Sequence, residues 1–175
     1  MRGEGCGLRP LVPADVPLVV QAGEGDIPDW TFFPRHPTPA EARAWLDRDL
    51  AAAAAGTRVR LVVAVDGVPA GMVGGEHPHT ADPGVVEAFY FVYPSYRRRG
   101  LATRALQAFD RWVVGAVPGL RRLQLHVVVG NPGSQRVAEA AGYAEEGIAV
   151  ALIPAVNGFP VRDAHVHARR VVPGA

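Results

Sequence analysis

The chain has 175 residues, 49% of them hydrophobic and 20% charged, which suits one folded domain spanning the whole length with a core that needs no staple. Its 18 basic residues are all arginine, set against 17 acidic ones. The absence of lysine excludes a Schiff-base enzyme, a Walker-type phosphate lysine and a kinase strand lysine, while the single Cys6 excludes an intrachain disulfide, a Cys-x-x-Cys zinc site and a four-cysteine iron–sulfur site.

No apolar run reaches the ~20 residues of a membrane span. The opening Met-Arg-Gly-Glu-Gly-Cys-Gly lacks the apolar stretch of a signal peptide, so the expected compartment is the cytoplasm. Residues 8–12 read as a first strand, and Pro13 and Asp15 open a helix running to about Ala22. Residues 23–37 read as an irregular loop carrying Trp30, Phe32 and Phe33; a long ordered loop in a compact domain is often functional. Thr38, Pro39 and Glu41 form a strong helix start, followed by apolar Ala42, Trp45, Leu46, Leu50 and Ala53 at helical spacing, with Gly56 as the stop.

Residues 58–65 alternate as a strand, Asp66-Gly67 signals a hairpin turn, and 68–74 returns antiparallel. A loop rich in Gly, Pro and His leads to an apolar strand over 85–93, ended by Pro94. Residues 101–114 predict a helix with Leu101, Ala105, Leu106, Phe109, Trp112 and Val113 on one face. A strand over 122–129, a short helix over 134–141 closed by Gly142, and strands over 147–153 and 161–172 around Asn157-Gly158 complete the chain. The predicted order is β-α-α-β-β-β-α-β-α-β-β. The fold class is therefore α/β (α+β), with a single mixed, mostly antiparallel central sheet flanked by helices.

The chemistry concentrates in Val92-Tyr93-Pro94-Ser95-Tyr96-Arg97-Arg98-Arg99-Gly100-Leu101-Ala102-Thr103. A strand stops at proline, a short basic loop follows, and a helix begins at once. The loop amides and the first helical N–H groups then face one concavity, which suits an anion. Gly100 and Ala102 let the backbone approach a ligand closely, and Arg97, Arg98 and Arg99 add planar donors for phosphate oxygens. With no Walker lysine and no evident magnesium ligand, the chemistry suggested is binding of a pyrophosphate that is not hydrolysed.

Arg97-x-x-Gly100-x-Ala102 resembles the Gln/Arg-x-x-Gly-x-Gly/Ala signature of the GNAT superfamily of acyl-CoA-dependent N-acetyltransferases. Asn131-Pro-Gly-Ser134-x-x-Val137-Ala138, followed by Gly142-Tyr143, resembles that superfamily's second motif. Within it the chain is most similar to the branch that acetylates the N-termini of ribosomal proteins. That likeness rests on Leu8-Arg9-Pro10-Leu11, on Thr38, Glu41, Ala42 and Trp45, and on Glu146-Gly147, Gly158 and Arg162-Asp163. The resemblance implies direct acetyl transfer from acetyl-CoA to a primary amine, either a protein N-terminal α-amine or a small-molecule amine, with no metal. It implies that Phe91, Val92 and Tyr93 pair with the cofactor arm, that a backbone N–H near Val92 stabilises the oxyanion, and that amides of residues 98–103 hold the pyrophosphate. Asn131 would bond the arm or a water. A homodimer is compatible with the same likeness.

Glu87 is the candidate base, with Phe89 and Phe91 on its strand face expected to raise its pKa; the alternative is a solvated strand-end carboxylate. An α-amine of pKa ~8 needs less help from a base than a lysine amine at ~10.4. Ser134 is the first candidate acid for the departing thiolate, or else a plain helix cap, and Tyr143 is the second. Two positions depart from the branch. Phe89 stands where a small residue is usual and should reshape the acceptor side, and Ile148-Ala-Val150 replaces a stretch that usually carries arginine. Trp30, Phe33 and Phe89 are the candidate acceptor-binding residues, with loop anchoring the alternative for the first two. Trp45 and Trp112 read as core, and His126 as a satisfied core or cleft histidine.

The pairs His77/His79 and His165/His167 suggest a metal only weakly, since no third ligand accompanies either. The alternative functions are a non-catalytic acyl-CoA-binding module and a small nucleic-acid binder using Arg97, Arg98 and Arg99. A net charge of only +1 argues against the latter, so no nucleic-acid and no membrane partner is expected.

Overall fold

Asp66 and Gly67, both at positive φ, reverse the chain between two strands, and the sheet grows outward from that hairpin. The computed structural model describes residues 2–3, 6–77 and 82–172; His79 lies outside them. The strands are β1 (Arg2–Gly3), β2 (Cys6–Pro10), β3 (Arg58–Val65), β4 (Val68–Glu76), β5 (Val85–Val92), β6 (Arg122–Val128), β7 (Ala144–Ile153) and β8 (Arg162–Arg170). The helices are α1 (Val16–Gly23), α2 (Ile27–Trp30), α3 (Pro39–Ala54), α4 (Leu101–Ala116) and α5 (Pro132–Ala140). All the strands join one sheet in the order β1-β2-β3-β4-β5-β6-β8-β7. Among the described strands only β5 and β6 run parallel.

The central strands are apolar on both faces because both are covered. Across β3, β4 and β5, the in-register row Val62, Met72 and Phe91 lies in the core formed with Leu18, Val19 and Ala22 of α1 and with Ala42 and Leu46 of α3. The neighbouring row Leu61, Val73 and Tyr90 lies on the other side, against Leu101, Ala105, Leu106, Phe109 and Val113 of α4. Burial of these side chains is the main source of stability, at roughly 1.5–3 kcal/mol for each large one. Thr38 caps α3 as predicted: its hydroxyl accepts from the Glu41 amide, and its own amide donates to the Glu41 carboxylate at 2.8 Å. Among the described residues no helix is long and apolar enough to cross a membrane.

Four local readings change. The first long strand starts at Cys6 and stops at Pro10, because Val12 opens a short 3₁₀ turn. Asp15 ends that turn without capping α1; it accepts two bonds from the Arg9 guanidinium, each of 2.7 Å, and one from the Val12 amide. The loop over 23–37 contains the one-turn helix α2. The last hairpin is longer on its first arm, and β7 begins at Ala144.

Tyr143 is corrected more sharply. Its hydroxyl donates to Asp110 of α4 at 2.8 Å in the core, which leaves it no part in proton transfer at the cleft described below. Asp110 is 1% exposed, with Arg169 at 3.4 Å, and burial pushes its carboxyl up to about 6. Between the ordinary value of 3.8 and that point, the folded chain keeps a proton that the unfolded chain releases. Stability therefore falls as pH rises through this window. Asp110→Asn is expected to gain on the wild type progressively from about pH 4 to about pH 6, by up to ~3 kcal/mol, and then level off. Thermal melts of both proteins across this range check it; a difference independent of pH contradicts it.

Candidate active site

A cleft opens where β5 and β6 separate. Their parallel pairing covers only Val85–Glu87 against Arg122–Gln124. Beyond it β5 stays with β4 as far as Val92, and β6 stays with β8 as far as Val128. The β6-facing edge of β5 is thus left without a strand partner. The space between holds a cavity of about 650 Å³. Glu87, Phe89, Phe91 and Val92 line it from β5, and His126 and Val128 from β6.

One end of the cavity is formed by the start of α4. Gly100 precedes α4 with φ 68° and ψ 8°, and no side chain caps the helix. The first N–H groups of a 16-residue helix therefore point outward, with the positive end of its dipole behind them. Arg98 also has positive φ, at 62°. Gly100, Leu101, Ala102, Thr103 and Arg98 all line the cavity, and so do Asn131 and Ser134 across from them. A side chain at Gly100 would carry the strain of a left-handed backbone.

The three arginines have separate positions. Arg97 is tied down: its guanidinium makes two bonds to Asp26, of 2.7 and 2.6 Å, and its Nε donates to the Val92 carbonyl at 3.0 Å. The bond from Arg97 holds the Asp26 carboxyl below the usual range. Arg97 is thus a strut between the α2 loop and the end of β5, not a free phosphate ligand. Arg98 faces the cavity, whereas Arg99 lies off it and offers its carbonyl to Arg104. Tyr93 also leaves the predicted set. Its amide bonds the Ala70 carbonyl, its carbonyl accepts from the Tyr96 amide, and its hydroxyl donates to the Leu18 carbonyl inside the α1 core.

Two polar pairs face the cleft. The Glu87 carboxylate is 2.9 Å from the His126 Nδ1, with the Gln124 amide at 3.5 Å. It has polar partners in place of the apolar company expected from Phe89 and Phe91. Nearer α5, the Tyr90 hydroxyl lies 2.7 Å from the Ser134 Oγ and 3.0 Å from the Ser134 carbonyl. Burial pushes the Tyr90 phenol up to about 12, so it keeps its proton at neutral pH. Ser134 is not the helix cap; that part belongs to Asn131, whose Oδ1 accepts from the Ser134 amide at 3.1 Å. The Ser134 hydroxyl is therefore free to work with Tyr90.

The far end of the cavity is aromatic. Trp30 and Phe32 are exposed at its rim, while Phe33 is buried against Trp45 and Phe91 with centroids 4.5 and 5.1 Å apart. Phe33 thus serves as both wall and anchor. Trp45, read as core, lines the cavity as well. Distant residues hold this wall in place. The Asn157 amide donates to the carbonyls of Pro28 and Phe33, each at 2.9 Å, and Arg162 donates to the Asp29 carbonyl.

Tyr90, Asp26, Asn157 and Arg162 were not legible as functional, because each acquires its part only from a partner far away in the chain. His165 bonds Glu145 at 2.7 Å and His167 is wholly buried. Among the described residues no three His, Cys, Asp or Glu side chains gather as a metal requires. Asn157→Ala removes the donor shared by the carbonyls of Pro28, Thr31 and Phe33 and is expected to cost about 1–3 kcal/mol and to speed amide exchange across residues 28–33. Hydrogen-exchange mass spectrometry checks this, and unchanged exchange contradicts the clamp.

Residues 6–144 match the family model described as an acetyltransferase (GNAT) domain. No curated protein matches the chain by sequence. Among solved structures, the chain is similar to a ribosomal L7/L12 α-N-protein acetyltransferase, RimL, in complex with coenzyme A. That pair has a TM-score of 0.84 at 18% identity, covering 97% of this chain and 96% of the other. It is also similar to Mycobacterium smegmatis RimJ bound to a coenzyme A disulfide (0.80, 23%, 97% and 85%). A third similar structure is the microcin C7 self-immunity acetyltransferase MccE with acetyl-CoA and AMP (0.81, 14%, 97% and 94%). At these identities the likeness is one of fold.

Proposed function

The chain belongs to the GNAT acetyltransferase family, and from that premise we propose that it transfers an acetyl group from acetyl-CoA directly to a primary amine, on a protein N-terminus or a small molecule. The observation that carries this is the meeting of three features in one cleft: an uncapped helix start behind Gly100, an unpaired strand edge on β5, and two polar pairs facing the gap. Acetyl-CoA supplies an activated thioester. The protein supplies position, proton transfer and a preorganised field.

Amides of residues 98–103 hold the pyrophosphate, and Arg98 adds charge at the rim. The open edge of β5 near Phe91 and Val92 lines up the pantetheine arm, and an N–H there stabilises charge developing on the carbonyl oxygen. Asn131 caps α5, which sets the wall on the far side of the arm. Glu87, bonded to His126, takes a proton from the acceptor amine, directly or through a water. Ser134 returns a proton to the departing sulfur, and Tyr90 in turn donates to Ser134. A binding-only module has no need of ionisable groups on the acceptor side and hydroxyls on the thiol side.

Thiol release from acetyl-CoA in the presence of an amine panel tests the reading; tight acetyl-CoA binding with no release for any amine overturns it. Gly100→Glu is expected to weaken acetyl-CoA binding about 100-fold or more, by placing bulk and negative charge at the pyrophosphate. Unchanged affinity by calorimetry contradicts that placement. Ser134→Ala is expected to lower kcat about 100-fold while acetyl-CoA affinity stays nearly constant. An unaffected kcat reduces Ser134 to a structural part.

A further inference from the structure

Arg60 lines the same cavity, and the transfer chemistry gives it no part. It stands on β3 opposite Gly74 of β4, and Gly74 is opposite Phe89 of β5. Gly74 carries no side chain. A Cβ there would lie 2.6 Å from the Phe89 ring, so this ring occupies the space above β4 and reaches Arg60. The guanidinium carbon is 4.3 Å from the Phe89 centroid and 5.0 Å from that of Trp45. The two rings fix the plane of a side chain that is only 16% exposed.

The charges around it are balanced. The Arg60 Nε forms an ion pair with buried Asp49. Asp49 also accepts from Arg58 at 3.0 Å, and Arg58 bonds Glu76 at 2.5 Å. The Nε is sealed from solvent. The two terminal nitrogens make no hydrogen bond among the described residues, and the side chain fronts the cavity. A planar donor fork held at its buried Nε, with its terminal nitrogens open to the cavity, is suited to two carboxylate oxygens.

We infer that Arg60 is a specificity-determining residue, and that the acceptor is a small amine bearing a carboxylate close to its amino group, an amino acid or a near relative. Glu87 precedes Phe89 by two residues on the same strand face, so the ammonium end meets Glu87 and the carboxylate end meets Arg60. Phe89 acquires a purpose here: its bulk narrows the acceptor side and braces the arginine. This inference rests on the acetyltransferase reading, whose acceptor it narrows.

The test is calorimetric binding of L-phenylalanine, L-methionine and L-glutamate, each against its α-carboxamide, to the enzyme preloaded with coenzyme A. At least one acid is expected to bind tenfold or more tightly than its amide. Arg60→Gln should abolish the preference, and Arg60→Lys should remove most of it while keeping a positive charge beside Asp49. Coenzyme A affinity should stay unchanged in both. If Arg60→Gln fails to fold, Arg60→Lys alone decides. Equal binding of acids and amides, no binding of either, or a preference that survives in the variants overturns the inference. Thiol release measured in parallel separates the two claims. Acetylation of amines regardless of a carboxylate defeats the inference and leaves the transferase reading standing. Carboxylate-selective binding with no release for any amine does the reverse.

Discussion

β5 and β6 run parallel for three residue pairs and then go to different partners. Everything else in the site depends on that parting. Each strand keeps one neighbour, β4 or β8, so the sheet remains stable while one edge of β5 is left open. Parallel pairing is the weaker kind and needs cover on both faces. α4, which crosses from β5 to β6, supplies cover on one face and sets its positive end at the mouth of the gap. The polar pairs Glu87–His126 and Tyr90–Ser134 face the space that ladder hydrogen bonds would otherwise fill.

The wall on the acceptor side is held by long-range polar contacts, with little regular structure of its own. Residues 26–33 include only one helical turn. They are fixed by Arg97 from the loop before α4 and by Asn157 and Arg162 from the last hairpin. Arg97 therefore links the two ends of the cleft, since it touches Asp26 on the acceptor wall and the Val92 carbonyl at the strand edge. Salt bridges with this much exposure contribute little to global stability. Their value here is geometric: they position a loop whose rings Trp30 and Phe32 meet solvent.

Much of the fold was legible because it follows from local chemistry. Asp66-Gly67 demanded a hairpin, Thr38 and Glu41 demanded a helix start, and Pro94 through Gly100 demanded a strand-to-helix turn. The uncapped start of α4 at the cavity mouth was legible for the same reason. The rest depended on distance. Tyr90 read as one more apolar position on a buried strand until α5 brought Ser134 against it. Arg97 read as a phosphate ligand because Asp26 lies 71 residues away. Tyr143 kept the spacing of a family motif, but its hydroxyl turned to Asp110 on a helix that no local signal connects to it. A chain without lysine leaves every cationic task to arginine. The assignments then follow from packing: Arg60 stacked, Arg97 bridging, Arg98 lining the cavity near the start of α4.

On the proposed function, the parted strands and the uncapped start of α4 form one acetyl-CoA cleft. Amide hydrogen exchange with and without coenzyme A tests it most directly. Slowed exchange is expected at residues 98–103 and along β5 from 88 to 92, with the β3–β4 turn at Asp66 and Gly67 unchanged. Binding that leaves residues 98–103 unprotected would contradict it.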